Sequence, residues 1–182
     1  MLQIGHRESR DVDIFLTDPQ LLPFLNPQTN EFRFEIQPDA YECDGARSLK
    51  FVFRGIGEID FIVAGAMTPS PTTQASVEGE SVLLETIPEI ITKKVYYRAS
   101  NIAPRDIFDI AAAGEQHEDS LIEVLKGYRD HVKQTLAAIS ELNPVFVDRA
   151  IAALSIKDQY KDIAAKAIER SKGILGTVLQ AE

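Results

Sequence analysis

The chain has 182 residues, of which 45% are hydrophobic, so it is long enough to bury one sizeable core and to be an enzyme. Its formal net charge is −9, and residues 1–119 hold 10 Lys/Arg against 20 Asp/Glu, which argues against broad non-specific nucleic-acid binding by that part. The single cysteine, Cys43, excludes an intrachain disulfide, and no apolar run approaches the roughly 18 residues of a membrane span, so we expect a cytoplasmic protein with no membrane partner.

The first part of the chain has the pattern of a β-sheet. Asp18 or Thr17, followed by Pro19, predicts the start of a short helix after the first strand. In that first strand we expect the apolar side chains of Val12 and Ile14 to enter the core. The four segments between residues 11 and 64 that mix β-branched or aromatic residues with polar ones are DVDIFLT, EFRFEIQ, SLKFVFR and EIDFIVA.

The later part of the chain has the pattern of helices. Residues 68–81 are rich in Pro, Ser, Thr and Gly without an apolar period, which predicts a long exposed loop. Thr86 and Glu89 stand at capping-box spacing and predict a helix start, and Gly114 is placed to end the second helix. The whole pattern predicts an α+β fold, in which a mixed β-sheet with flanking helices is followed by a helical C-terminal part.

Three acids in the predicted strands are candidates for a metal site. Asp11 and Asp13 are two residues apart, so they point to the same side of a strand at about 6.6 Å from each other. Two like charges this close favour a cation, and Mg²⁺ takes one or two carboxylates together with water and substrate phosphates. Asp60 lies in the apolar segment GEIDFIV, which an adjacent strand would bring near the pair. The alternative for all three acids is a solvated strand face.

A second group of charges is expected on the helices. Lys94 and Arg98 are four residues apart and share one helix face, and Asp106 and Asp109 are three apart on the next helix. Two interpretations are open for this group, which lies either beside a pocket or on an exposed charged face. For Lys93 we expect the exposed face, as one half of an ion pair with the acid four residues before it.

Three motifs, in this order, resemble a known family. GHRESRDVDIF, EIITKKVYYR and PRDIFDI resemble the bacterial nucleotidyltransferases of the AbiEii/AbiGii abortive-infection toxin type. The resemblance implies a nucleotidyltransferase fold, which with the change of pattern gives a nucleotidyltransferase-like α/β domain over residues 1–114 and a helical C-terminal domain over residues 115–182. It implies that Asp11 and Asp13 hold Mg²⁺ or Mn²⁺, that Lys94 lies near the nucleotide phosphates, and that Asp106 is a further site acid. We expect Asp60, a looser fit to the family, to join the metal site, and Arg98 to bind the nucleotide. The predicted catalytic residues are Asp11, Asp13, Asp60, Lys94 and Asp106.

The chemistry that the resemblance implies is transfer of a nucleoside monophosphate from a nucleoside triphosphate to an acceptor, with release of pyrophosphate. RNA, often tRNA, is the expected acceptor, and a cognate antitoxin is the expected protein partner. The family carries a Gly-Gly-Ser/Thr turn about ten residues before the two acids, and MLQIGHRESR contains no such turn. This departure leaves an alternative, a truncated or degenerate non-catalytic binding module. From the missing turn we also expect the chain to bind nucleotide weakly or not at all, and to cover an exposed strand edge by self-association, as a homo-oligomer, or by disorder.

Overall fold

The chain packs as two units. The computed structural model describes residues 3–27 and 30–181. We call Ser9–Ala66 the sheet unit, and we call the segment through Glu8 together with the chain from Met67 onwards the helical unit. Both strands and helices are present, so the predicted α+β class is confirmed. Residue 114 lies inside the helix Pro104–Leu125, which is kinked at His117, and the assignment of residues 1–114 to a nucleotidyltransferase-like domain stays a prediction.

The sheet unit is built around a four-stranded mixed β-sheet. Its elements in chain order are β1 (Val12–Leu16), a 3₁₀ turn (Pro19–Leu21), α1 (Leu22–Leu25), β2 (Ala40–Cys43), β3 (Ser48–Phe53) and β4 (Gly57–Val63). The strand order is β1-β4-β3-β2, in which β1 runs parallel to β4 and the other neighbours are antiparallel. Alternation along β3 directs Leu49 and Phe51 into an apolar core and leaves Lys50 on the opposite face.

Two turns of the sheet unit follow directly from its sequence. Asp18 caps the 3₁₀ turn as predicted, because its carboxylate accepts a hydrogen bond from the N–H of Gln20 at 2.8 Å. At Gly57, where β4 begins, an added Cβ would lie 2.0 Å from the carbonyl oxygen of Arg10. Only glycine therefore allows the segment before β1 to approach the β3–β4 hairpin this closely.

Two predictions for the sheet unit are wrong. EFRFEIQ does not form a strand; its Phe34 ring packs edge-on against Phe51 with centroids 5.7 Å apart, and β2 lies further along the chain. Val12 and Ile14 do not enter the core, since their side chains are 53% and 38% exposed. The reason is that β1 stands at the end of the strand order, whereas the core is centred on β3.

The helical unit combines a β-hairpin with an array of helices. Its elements in chain order are β5 (Thr72–Val77), β6 (Glu80–Glu85), α2 (Ile87–Arg98), α3 (Pro104–Leu125), α4 (Arg129–Glu141), α5 (Pro144–Ala152), α6 (Lys161–Ala165) and α7 (Ala167–Gln180). α3 packs against α2, α5, α6 and α7, and its Ile107, Phe108 and Ile110 are fully buried in the core. Over residues 3–27 and 30–181, none of the helices has the length and apolar character that a membrane crossing requires.

The segment before Ser9 is part of the helical unit. The buried side chain of Ile4 belongs to its core, and the Tyr160 hydroxyl donates a hydrogen bond to the Ile4 carbonyl at 3.1 Å. Arg7 forms an isolated β-bridge with Ile156. These contacts hold the first described residues against chain that lies about 150 positions later.

Two predictions for the helical unit are wrong. Residues 68–81 contain β5 and the start of β6, joined by a two-residue turn at Glu78 and Gly79, whose φ angles of 51° and 86° suit a tight hairpin. Gly114 does not end its helix, since the helical backbone runs past it to a kink at His117, whose φ of −130° and ψ of 16° are not helical, and α3 resumes beyond the kink as far as Leu125. An added Cβ at Gly114 would lie 2.4 Å from Ile174 Cδ1, so this glycine allows α3 and α7 to pack closely.

The start of α2 confirms one prediction and corrects another. Thr86 caps the helix by accepting a hydrogen bond from the N–H of Glu89. The Glu89 carboxylate is fully buried and accepts hydrogen bonds from the N–H groups of Met67 and Thr68 at 2.8–3.1 Å. Lys93 is only 6% exposed and pairs with Glu85 and Glu89, so the exposed face predicted for Lys93 is wrong.

Candidate functional site

A cluster of buried charges in the helical unit brings together residues of all three sequence motifs. It is centred on the α3 carboxylate Asp109, which is fully buried. The carboxylate accepts hydrogen bonds from His6 Nε2 at 2.6 Å, Arg7 Nε at 2.8 Å and Arg7 Nη2 at 3.0 Å, and Lys94 Nζ lies 3.0 Å from its second oxygen. The Asp109 side chain thus links His6 and Arg7 of the first motif to α3, which carries Asp109, and to Lys94 of α2.

The second carboxylate of the cluster is Asp106, one turn earlier on α3 and also fully buried. It accepts hydrogen bonds from Lys94 Nζ at 2.8 Å and Arg98 Nη1 at 2.6 Å. It also accepts one from the N–H of Ala103 at 3.1 Å, which satisfies a backbone donor before the first turn of α3. Lys94, with the two acids on α3, therefore joins the two helices at the heart of the cluster.

The electrostatics of the cluster keep the Asp109 carboxylate charged. Burial alone would raise the pKa of Asp109, but hydrogen bonds from His6 and Arg7, together with the charge of Lys94, outweigh burial and hold this pKa well below its usual range. Arg7, Lys94 and Arg98 place three cations against the two acids on α3. At this end of α2 the cations Lys94 and Arg98 face the carboxylates of α3, and the Arg98 side chain is 35% exposed whereas that of Lys94 is 16% exposed.

Two of the three predicted metal-binding acids meet in the sheet unit. Asp13 on β1 is the register partner of Asp60 on β4. Neighbouring parallel strands lie about 4.8 Å apart and register partners point to the same face, so these carboxylates are adjacent. Asp11 precedes β1 and is exposed. On the same face, Lys50 Nζ lies 2.5 Å from Glu58 and 3.4 Å from Asp60.

The pair of Asp13 and Asp60 fits a divalent cation in donor type and charge. Burial raises the pKa of Asp60, Lys50 lowers it in part, and the charge of Asp13 raises it further, so that the net shift is upward. A bound cation would relieve this repulsion. No three His, Cys, Asp or Glu side chains within the described ranges are arranged to hold a metal ion. Two carboxylates are sufficient for Mg²⁺, which fills its other positions with water and phosphate oxygens.

The structure thus gathers the predicted site residues into two groups, each within its own unit. Asp13 and Asp60 are together in the sheet unit, and Lys94, Arg98 and Asp106 are together in the helical unit. The sequence interpretation assigned no role to His6 and Arg7. The one feature of the sequence that points to them is their position in the first motif, just before Asp11 and Asp13. Their partner in the structure is Asp109 of the third motif.

Comparison with known protein families identifies the chain. Residues 1–172 match the family described as "Nucleotidyl transferase AbiEii toxin, Type IV TA system". The chain belongs to the AbiEii family. The resemblance noted in the sequence is therefore confirmed, because the AbiEii match spans nearly the whole chain and all three motifs. Neither the curated proteins nor the solved structures give a match.

For an AbiEii protein, the cluster gives a physical reason why the three motifs occur together. Asp109 of the third motif binds Lys94 of the second, and it also binds His6 and Arg7 of the first. A buried carboxylate without these partners would be strongly destabilising, so Asp109 of the third motif requires residues of the other two motifs. AbiEii proteins are nucleotidyltransferase toxins of type IV toxin–antitoxin systems, which makes an antitoxin the partner that the family indicates.

Proposed function

We propose that this chain transfers a nucleoside monophosphate from a nucleoside triphosphate to an RNA acceptor, with tRNA as the expected class, and that it uses Mg²⁺ or Mn²⁺. The observation that carries the proposal is the register of Asp13 with Asp60, which puts two carboxylates side by side on one sheet face. Support comes from the family, whose members are nucleotidyltransferase toxins. A cognate antitoxin that suppresses this activity completes the proposal.

In this proposal Asp13 and Asp60 are the two carboxylates that hold the divalent cation, and a further contact from Asp11 stays a prediction. When bound, the cation supplies positive charge that offsets the phosphate oxygens of the nucleotide. The raised pKa of Asp60, which burial and the neighbouring Asp13 produce, supports a cation on this face. The protein's own contribution is to keep the carboxylates adjacent through the β1–β4 ladder, so that no conformational change is needed to assemble them.

Lys94 and Arg98 are the proposed phosphate-binding residues. A guanidinium has five N–H donors, and Asp106 engages Nη1 of Arg98. The remaining donors of Arg98 stand on a side chain that is 35% exposed. Lys94 Nζ is held between two carboxylates at 2.8 and 3.0 Å, which fixes its position. Asp106 is fully buried, and its contacts support a positioning role for this acid rather than contact with substrate.

The decisive experiment is a transfer assay with α-labelled ATP, CTP, GTP or UTP, Mg²⁺ and total tRNA. We expect labelled RNA with the wild-type chain and none above background with Asp13→Asn or Asp60→Asn. Asp130→Asn is the matched control, since that acid is 84% exposed on α4, and it should keep full activity. Absence of transfer by the wild-type chain with all four nucleotides would contradict the proposal and favour the non-catalytic binding module.

Metal binding is measured separately by calorimetric titration with Mn²⁺ alone. Asp13→Asn and Asp60→Asn should each weaken binding by about 10-fold or more, because each removes one of two adjacent carboxylates. Lys94→Ala should leave Mn²⁺ binding unchanged while it abolishes transfer, with folding checked by circular dichroism. Loss of Mn²⁺ binding in Lys94→Ala would assign that lysine to the structure of the protein.

A further inference from the structure

A cluster of aromatic rings lies on the helical unit, at the end of α2 and the start of α4. The Tyr96 ring is edge-on to Tyr97 with centroids 5.0 Å apart and to Tyr128 at 5.8 Å. It is also stacked at 32° on the ring of His131 at 4.3 Å. Tyr128 is fixed in turn, because its hydroxyl donates a hydrogen bond to the Met67 carbonyl at 2.6 Å.

The outer member of this cluster, Tyr97, is not part of the core. Its side chain is 59% exposed, whereas the core side of the same helix is formed by the fully buried Ile91 and Val95. Within the described residues its ring contacts no ring other than that of Tyr96. A ring has two faces and one contact covers at most one of them, so a face of Tyr97 is available to a flat ligand.

Cations flank the available ring. Lys94 is three residues before Tyr97 and therefore its neighbour on the helix surface, about 5–6 Å away at Cβ. Arg98 follows Tyr97 directly, and its side chain is 35% exposed. Both belong to the charge cluster, and the partly exposed guanidinium of Arg98 retains N–H donors beyond the one that Asp106 engages. An aromatic face beside such a cation matches a ligand that joins a flat ring to phosphates.

We propose that Tyr97 stacks on an unpaired nucleobase, with Tyr96 as the ring that holds it in place. The base comes either from the nucleoside triphosphate or from single-stranded acceptor RNA, and the chemistry of recognition is the same in both cases. The inference rests on the proposed function for its choice of ligand. Stacking tolerates any base, since every base has a π-face, so Tyr97 provides affinity without base specificity.

The absence of tryptophan from the chain makes a direct test possible. Tyr97→Trp keeps a flat ring and introduces a single tryptophan, whose fluorescence can be excited selectively, and Phe146→Trp is the matched control because Phe146 is 57% exposed on α5. Each variant is titrated with the four nucleoside triphosphates in Mg²⁺, with a single-stranded oligoribonucleotide, and with pyrophosphate, which carries no base.

We expect a base-bearing ligand to quench Tyr97→Trp, pyrophosphate to leave it unchanged, and Phe146→Trp to respond to none of them. Quenching by the triphosphates alone assigns the base to the donor nucleotide, and quenching by the oligoribonucleotide alone assigns it to the acceptor. Equal quenching of both variants, or no quenching of Tyr97→Trp, overturns the proposal. Absence of quenching is also the result expected if the aromatic cluster binds a partner protein instead of a base.

A second measurement separates this inference from the proposed function. Tyr97→Ala should weaken binding of the base-bearing ligand by about 5- to 100-fold, whereas Tyr97→Phe should stay within about 2-fold of the wild type. If the wild-type chain transfers nucleotide and Tyr97→Ala has an unchanged KM for both substrates, stacking is overturned and the function stands. If the wild-type chain transfers nothing but Tyr97→Trp is quenched, the function fails and stacking stands.

Discussion

Asp109→Asn removes one negative charge from the centre of the buried cluster and preserves the shape of the side chain. The wild-type carboxylate accepts hydrogen bonds from His6 at 2.6 Å and from Arg7 at 2.8 and 3.0 Å, and it faces Lys94 at 3.0 Å. Asparagine offers one oxygen to these donors and turns an NH₂ group towards the others. The variant therefore leaves buried cations without a counter-charge.

The expected loss of unfolding free energy is about 3–5 kcal/mol, the range for breaking a buried ion pair by removing one partner. A single charge-assisted hydrogen bond contributes about 1.5–3 kcal/mol, and three of them cannot simply be added because they share one carboxylate. The total free energy of unfolding of a domain of this kind is about 5–15 kcal/mol. The variant should therefore still fold, but with a much smaller free energy of unfolding.

The measurement is urea unfolding at pH 7 followed by far-UV circular dichroism. Asp130→Asn is the control, because Asp130 is 84% exposed and lies 3.4 Å from Lys133, and it should change the unfolding free energy by less than about 1 kcal/mol. With a slope of about 1–3 kcal/mol per molar urea, Asp109→Asn should lower the midpoint by at least about 1 M. A loss equal to that of Asp130→Asn would refute the reasoning.

The same comparison has a definite pH dependence. The folded-state pKa of Asp109 is held well below its usual range, so its contribution to stability is fully present above the unfolded pKa of about 3.9 and is lost as pH falls towards the folded value. The difference in stability between wild type and Asp109→Asn should therefore be constant from pH 7 to about pH 5 and shrink below pH 4. A difference that grows with acid would contradict this assignment.

Three further outcomes are expected from urea unfolding. Gly57→Ala should destabilise the chain by about 1–3 kcal/mol, because its Cβ would lie 2.0 Å from the Arg10 carbonyl oxygen; an unchanged midpoint would contradict this close approach. Gly114→Ala should cost about 1 kcal/mol, since the Ile174 methyl at 2.4 Å is a movable end, and Ile174→Val should recover part of the loss in the double variant. Glu89→Gln should cost about 1.5–3 kcal/mol and speed proteolysis before β5, and unchanged cleavage would show that the Glu89 hydrogen bonds do not hold that segment.

The parts of the fold that could be predicted are those whose signals are local. Thr86 and Asp18 cap their helices as expected, because a capping side chain needs only the next three residues. The exposed state of Val12 and Ile14 could not be predicted, since it depends on which strand ends the sheet. Gly114 looked like a helix end, but its role is set by a residue of α7 about 60 positions away.

The candidate site shows the same division. The spacing of Lys94 and Arg98 placed them on one helix face, and their joint contact with Asp106 agrees with that expectation. Lys93 was expected on an exposed helix face but is buried, with partners on β6 and α2. Helix periodicity alone does not show what covers a helix face, so this burial could not be predicted. His6 and Arg7 were missed as partners of Asp109 because more than a hundred residues separate them, and no local pattern records such a pairing.

The contacts of the segment before Ser9 set a time order during synthesis. Arg7 and Ile4 are synthesised before their partners: Arg7 binds the Asp109 carboxylate, and the Ile4 carbonyl accepts a hydrogen bond from the hydroxyl of Tyr160. At translation rates of about 5–20 residues per second, Ile4 is synthesised about 8–30 s before Tyr160. Over that interval residues 9–66 can complete their own sheet, and His6 and Arg7 already exist when α2 and α3 are made. The contacts of Ile4 and Arg7 with Tyr160 and Ile156 form last, so the segment that carries His6 and Arg7 is held in its final place only after Tyr160 has been made.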